Sequence, residues 1–185
     1  MRADAKRNLS KIVEAAAEAI AEHGAAVPMS VVAARAGVGV GTLYRRFPDR
    51  PALLAAIGEY YIHHLHDALT VSSREPDAWQ ALRWYVAWVA APGRSALAGA
   101  LVDVPVDIVT SHPEFARRRT QWEEDLATLV RRAQAEGDMR ADVTVDDLIA
   151  LLKLFTCSGA ADDPVRHLHL MLDGLQTAAA TPMPQ

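Results

Sequence analysis

Apolar residues recur every three or four positions along most of this chain. The first run, Leu9, Ile12, Val13, Ala16 and Ile20, describes one buried stripe of a helix that Gly24 ends. Two short helices follow near residues 30–36 and 40–47. A long fourth helix near residues 50–69 carries Leu53, Leu54, Ile57, Tyr60, Tyr61 and Leu65, with Asp49 as its N-cap and Pro51 in its first turn. Residues 72–77, with Pro76, read as a loop. The fifth helix, near residues 77–90, bears Trp79, Leu82, Trp84, Tyr85, Val86, Trp88 and Val89, apolar on nearly every side, which predicts full burial. Pro92 and Gly93 break it, a short sixth helix near 94–102 follows, and Pro105 ends or kinks that run. Ser111 and His112 before Pro113 open a seventh helix near 114–136, with Trp122, Leu126, Leu129 and Val130 inward and Gly137 at its end. Thr144 caps an eighth helix holding Leu148, Ile149, Leu151, Leu152, Leu154 and Phe155. After a loop at 159–164, the last helix, near 165–178, shows Leu168, Leu170, Met171, Leu172 and Leu175. This last helix carries more apolar surface than a terminal helix exposed to water on one side tolerates, so something covers it. Strand-like alternation is scarce, and the pattern predicts an all-α fold.

The two short helices stand apart from this pattern. Val32, Ala33 and Ala36 line one side of the first, Gly37 supplies the left-handed residue that ends it, and Val38 plugs the corner. In the second, Leu43 and Phe47 are four apart and pack down together, which leaves Val40, Thr42, Tyr44, Arg45 and Arg46 outward. Two helices joined by a glycine-bearing turn have the layout of a helix-turn-helix. Gly39 and Gly41 keep the start of the second helix bare, where backbone N–H groups favour an anion. No Asp or Glu occurs between His23 and Pro48, while Arg35, Arg45 and Arg46 do, as a surface meeting phosphates requires.

Val32-Ala33, Ala36-Gly37-Val38, Gly41-Thr42-Leu43-Tyr44-Arg45, Phe47-Pro48 and Leu53-Leu54 together resemble the DNA-binding domain of the tetracycline-repressor (TetR) family of bacterial regulators. The match is dense over the first third of the chain and loose beyond it. Pro28 stands where members often have a Ser or Thr cap, Gly39 where a Ser often begins the recognition helix, and Arg50 where a Lys is usual. The resemblance implies an N-terminal helix-turn-helix domain over residues 1–49 and a helical ligand-binding and dimerisation domain over 50–185. It places Ser30, Arg35, Gly39, Val40, Gly41, Thr42, Tyr44, Arg45, Arg46 and Arg50 at DNA, with Arg45 and Arg46 toward phosphates or a guanine edge and Arg50 toward the backbone. Arg35 reads equally as a solvated helix residue, and Tyr44 as a packing ring. In the body the resemblance implies a cavity among the middle helices, where Trp84, Tyr85, Trp88 and Trp122, with Asp103, Asp107 and Thr128, would meet a mostly apolar effector; the same aromatics would also serve simply as core. The segments 137–142 and 172–175 look like elements recurrent in TetR-family bodies, whose last two long helices form a homodimer's four-helix bundle. The expected partners are thus an operator in double-stranded DNA, a small-molecule effector and a second copy, with no cofactor. The expected activity is that of a transcriptional regulator, most readily a repressor, with the long fourth helix as the transmission element.

Composition sharpens this picture. The chain has 185 residues, 51% hydrophobic, enough for a sizeable core. Its net charge of −4 is unequally spread: residues 1–50 hold 8 Lys or Arg against 5 Asp or Glu, and residues 51–185 hold 11 against 18. A basic head therefore precedes an acidic body that DNA repels. Arg2, Lys6, Arg7 and Lys11 near the N-terminus read either as a solvated end or as an arm near phosphates. One cysteine, Cys157, excludes an internal disulfide and reads as a small buried hydrophobe; with no leader or apolar span, a cytoplasmic protein without a membrane partner is expected. His63, His64 and His66 do not share one helical face and no Cys completes a set, so no metal is expected. No Gly-x-Ser-x-Gly, Walker loop, Rossmann glycine pattern or His-Glu-x-x-His is present, which argues against an enzyme. A helical interaction or storage module, its helix pair merely packed, is the remaining alternative.

Overall fold

The structure, a computed structural model, describes residues 2–102, 113–157 and 164–179, with side chains at 9–101, 113–154 and 166–178. Asp103, Asp107 and the side chains of Arg2, Lys6, Arg7, Phe155 and Cys157, singled out above, lie outside the described residues. Nine helices are described: α1 (Arg2–His23), α2 (Met29–Arg35), α3 (Val40–Arg46), α4 (Arg50–Ser72), α5 (Ala78–Ala90), α6 (Pro92–Val102), α7 (Pro113–Glu136), α8 (Val145–Cys157) and α9 (Pro164–Gly174), followed by a single 3₁₀ turn, Thr177–Ala179. Among the described residues, β pairing is limited to one isolated bridge between Met139 and Gln176.

Local chemistry accounts for most boundaries. Gly24 takes φ +80° and donates its N–H to the Ile20 carbonyl at 2.8 Å, closing α1. Gly37 at φ +66° closes α2, and Val38 N–H returns to the Ala33 carbonyl at 3.0 Å. Asp49 and Asp77 are true N-caps, accepting from the Ala52 and Gln80 N–H groups at 2.8 Å each. Thr144 and Asp147 cap α8 reciprocally: Asp147 Oδ2 accepts from Thr144 N–H at 2.8 Å, and Thr144 Oγ1 from Asp147 N–H at 3.1 Å. The expected break between the fifth and sixth helices falls at Ala91, in extended conformation, and Pro92 and Gly93 stand in the first turn of α6 ahead of the expected start at 94, where a proline's missing N–H costs nothing. The last helix ends at Gly174, short of the expected 178, because Leu175 N–H turns back to Leu172 O at 3.0 Å.

Buried side chains form two clusters. One gathers Ile12, Ala16 and Ile20 of α1, Val32 of α2, Leu43 of α3, Leu53, Leu54 and Ile57 of α4 and Leu97 of α6. The other holds Ile62, Leu65 and Leu69 of α4 with Trp79, Leu82 and Tyr85 of α5, Phe115, Trp122 and Leu126 of α7, Leu148 and Leu152 of α8 and Leu168 and Leu172 of α9. Helix α4 runs through both, and Tyr61 packs against both. Helix α6 adds a second link by lying against α1.

Candidate DNA interface and effector region

In the head, Leu43 is fully buried and Phe47 nearly so, which fixes α3 by one stripe and turns its other sides outward. Tyr44 is 46% and Val40 41% exposed; Gly39, Gly41, Arg45 and Arg46 are exposed and Thr42 is half-buried. Arg45 Nη2 donates to Thr42 Oγ1 at 3.0 Å, tying two expected DNA-facing side chains to each other. Neither Arg45 nor Arg46 meets an acidic group among the described residues. Ser30 is exposed at the start of α2.

Two of the expected phosphate ligands are occupied. Arg35 forms a two-pronged pair with Glu22 of α1, donating Nη1 to Oε1 at 2.7 Å and Nη2 to Oε2, with Glu18 at 3.9 Å. The Arg35 guanidinium in turn holds the Glu22 carboxyl below the usual carboxylate range. Arg50, expected at the DNA backbone, points into the protein. Its guanidinium donates to the Ala25 and Val27 carbonyls at 2.5 Å each, across the α1–α2 turn. The reason is geometric: the planar fork spans two carbonyls in one turn, which a lysine ammonium does not match. Arg50 therefore braces the turn that sets α2 against α1, a role the sequence reading missed because the two acceptors are backbone atoms.

In the body, Tyr85 and Trp122 meet in the core: Trp122 Nε1–H donates to the Tyr85 hydroxyl at 2.6 Å. Burial pushes the Tyr85 and Tyr61 phenols far up. Trp88 is half-buried, and Arg94 lies over its ring, 4.1 Å from the centroid, while donating Nε to the Trp88 carbonyl at 2.5 Å. Two residues depart from the expectation. Trp84 is 46% exposed, because α5 packs on α4, α6, α7, α8 and α9 but leaves the side with Gln80, Trp84 and Ala87 open. Thr128 faces out from α7, its hydroxyl donating to the Glu124 carbonyl and accepting from Arg131, both at 2.9 Å. The structure thus does not bring these two together with Tyr85 and Trp122.

The histidines of α4 are accounted for by protein partners. His66 Nε2 lies 3.1 Å from Asp125 of α7, His63 Nε2 lies 3.4 Å from Asp67, and His64 meets the Tyr60 ring edge-on at 4.2 Å. Asp77, Glu136 and Asp138 cluster at the surface, but Asp77 and Glu136 accept from the Gln80 and Ala78 N–H groups that start α5.

Residues 12–57 match the family of bacterial regulatory proteins of the TetR type, and residues 77–177 match the C-terminal domain of SbtR-like transcriptional regulators. The chain belongs to the TetR family. A TetR transcription regulatory protein from Mycobacterium vanbaalenii is 31% identical, with 95% of this chain and 99% of that one superposed at a TM-score of 0.69. The TetR transcriptional regulator SCO0520 from Streptomyces coelicolor is 28% identical, over 90% of this chain and 97% of that one, with a TM-score of 0.63. FadR from Bacillus subtilis, solved in complex with stearoyl-CoA, shares the fold at 15% identity, covering 94% and 100% of the two chains with a TM-score of 0.69. No curated protein matches the chain significantly. As a TetR-family member the protein is a DNA-binding transcription regulator and not an enzyme. No helix among the described residues is long and apolar enough to cross a membrane.

Proposed function

We propose that this TetR-family protein is a cytoplasmic, homodimeric repressor that leaves its operator when a mostly apolar small molecule binds the body. The observation that carries the DNA half of this reading is α3, whose outward surface bears Tyr44, Arg45 and Arg46 with no acid among them. Ser30, Gly39, Val40, Gly41 and Thr42 complete that surface, while Arg35 and Arg50 hold it in place from behind. Two such heads would sit in successive major grooves, about 34 to 36 Å apart, on a near-palindromic site.

The second copy is assigned to the α8 and α9 side. Leu154 of α8 is 65% and Leu170 of α9 56% exposed there, whereas Leu168 and Leu172 of α9 are buried within the subunit. Glutamate at Leu154 and Leu170 together should give monomers by light scattering; a dimer that persists would move the interface elsewhere.

The effector is assigned to the region of Tyr61, Tyr85, Trp88 and Trp122, where α4, α5 and α7 share the body's core. FadR from Bacillus subtilis, a protein of this fold, was solved in complex with stearoyl-CoA, which supports a mostly apolar effector here. To weaken operator binding tenfold the effector must favour the released state by about 1.4 kcal/mol. Selection from random duplex DNA with the purified protein tests the whole reading: a palindromic consensus supports it, and enrichment of no sequence overturns it. An apolar-compound screen by tryptophan fluorescence, followed by operator release, tests the effector. Tight binding with unchanged operator affinity would refute release.

A further inference from the structure

We propose that Arg45 reads a guanine on the floor of the major groove, so that each half-site carries one G·C pair the protein requires. This rests on the placement of α3 at DNA proposed above. Successive side chains on an α-helix are about 100° apart around its axis. Leu43 and Phe47 define the side of α3 fixed to the head. Measured from the middle of that stripe, Arg45 lies about 180° away, diametrically outward, while Tyr44 and Arg46 lie about 80° to either side. A helix about 10 to 12 Å across fills a major groove about 12 Å wide, so the diametric residue meets base edges and the flanking residues meet the phosphate walls. Arg45 is thus the floor residue, with Tyr44 and Arg46 at the walls.

Two further observations point the same way. Arg45 Nη2 is held by Thr42 Oγ1 at 3.0 Å, which restricts the fork before DNA arrives and leaves the other guanidinium N–H groups to aim together. A guanidinium matches the O6 and N7 acceptors of guanine with two parallel hydrogen bonds, and no other base offers two acceptors there. Gly41, one turn before Arg45 on the same outward side, has no internal justification: a Cβ added to it would meet nothing within 4 Å. A helical glycine costs stability relative to alanine, so an open one on this side fits a backbone that comes close to the bases beside the arginine.

The test is a gain of function. Arg45→Gln places an amide that pairs with the N6 and N7 of adenine instead. Selection from random duplex DNA is run on the wild-type protein, on Arg45→Gln and on Arg46→Gln, each checked for native helicity. The wild type should require G at one symmetry-related pair of positions, with a preference of about five- to a hundredfold. Arg45→Gln should exchange that G for A, or become indifferent there, and leave every other position of the consensus alone. Arg46→Gln should keep the consensus while its salt slope becomes shallower by about one. If Arg45→Gln retains the wild-type G, or weakens all sequences evenly with a shallower salt slope, Arg45 is not a base reader. A wild-type protein that enriches no sequence at all refutes instead the DNA-binding reading on which the proposal rests. Should Arg45→Gln lose its fold, Arg45→Ala serves: loss of discrimination at that one position supports the proposal, and retained discrimination overturns it.

Discussion

Head and body solve the same packing problem by different means. The head core is built largely from alanine, valine, leucine and isoleucine of α1 to α4 and is cross-braced at its margin by arginines: Arg50 on two carbonyls of the α1–α2 turn and Arg35 on Glu22. The body core packs Trp79, Tyr85, Phe115 and Trp122 among aliphatic side chains of five helices and includes a buried hydrogen bond between Trp122 and Tyr85. Small residues and fixed forks specify one geometry, as a surface that must match DNA requires. Large rings set among aliphatic side chains leave more ways to repack, as a region that answers to a ligand requires.

The largest effects should come from cutting either core. Leu43 and Leu126 are both fully buried, so alanine at each is expected to cost about 2 to 5 kcal/mol. The comparison sharpens if the effects stay local. Leu43→Ala should speed amide exchange in α2 and α3 while sparing α7, and Leu126→Ala the reverse. Equal acceleration in both regions for either variant would show that α4 and Tyr61 fuse the two clusters into one cooperative unit.

Next is Tyr85→Phe. It leaves the Trp122 N–H without its acceptor in the core, a loss of about 1 to 3 kcal/mol, with the tryptophan emission shifted. Operator affinity measured well below the melting range should hardly change. A large loss of affinity with unchanged stability would mean that this pair already communicates with the head in the absence of any effector.

Arg50→Met should cost about 1 to 2 kcal/mol, by removing two hydrogen bonds to carbonyls. Its signature is in the salt dependence. Operator affinity falls because α2 and α3 lose their brace, yet the slope of affinity against salt stays at the wild-type value, since no phosphate contact is lost. A slope shallower by about one would put Arg50 on the DNA after all.

The head was the more legible region because its signals are local. Gly24, Gly37 and Asp49 each do at their own position what their residue type allows, and the Leu43–Phe47 spacing alone orients α3. What escaped were interactions with backbone atoms distant in sequence, above all Arg50 reaching 25 and 23 residues back. In the body the helices were legible but their faces were not. Helix α5 is apolar almost all round, so no periodicity separates exposed Trp84 from buried Tyr85; only its five neighbouring helices decide that. For the same reason, Leu168 and Leu170 look alike in the sequence although one is core and the other surface.

The smallest expected effect lies where the two regions meet. His64 on α4 meets the Tyr60 ring edge-on and feels the charges of His63 and Asp67 on its own helix, Glu14 of α1 and Arg94 of α6. Burial, reinforced by His63, lowers its pKa from the ordinary value, despite Asp67 and Glu14. A histidine whose pKa falls on folding is neutral in the folded protein while the unfolded chain takes up the proton first. Between the unfolded value of about 6.5 and the lower folded one, the unfolded state therefore binds more protons, and stability declines as pH falls through that window. Below both values the contribution is fully lost; above about 6.5 it is fully present. Urea melts at pH 7.5 and pH 5.5 should show the wild type losing more stability than His64→Gln, which has no proton to gain. Equal losses would assign the acid sensitivity to other groups, and a greater loss in the glutamine variant would reverse the sign and show that Glu14 and Asp67, not burial, govern this junction.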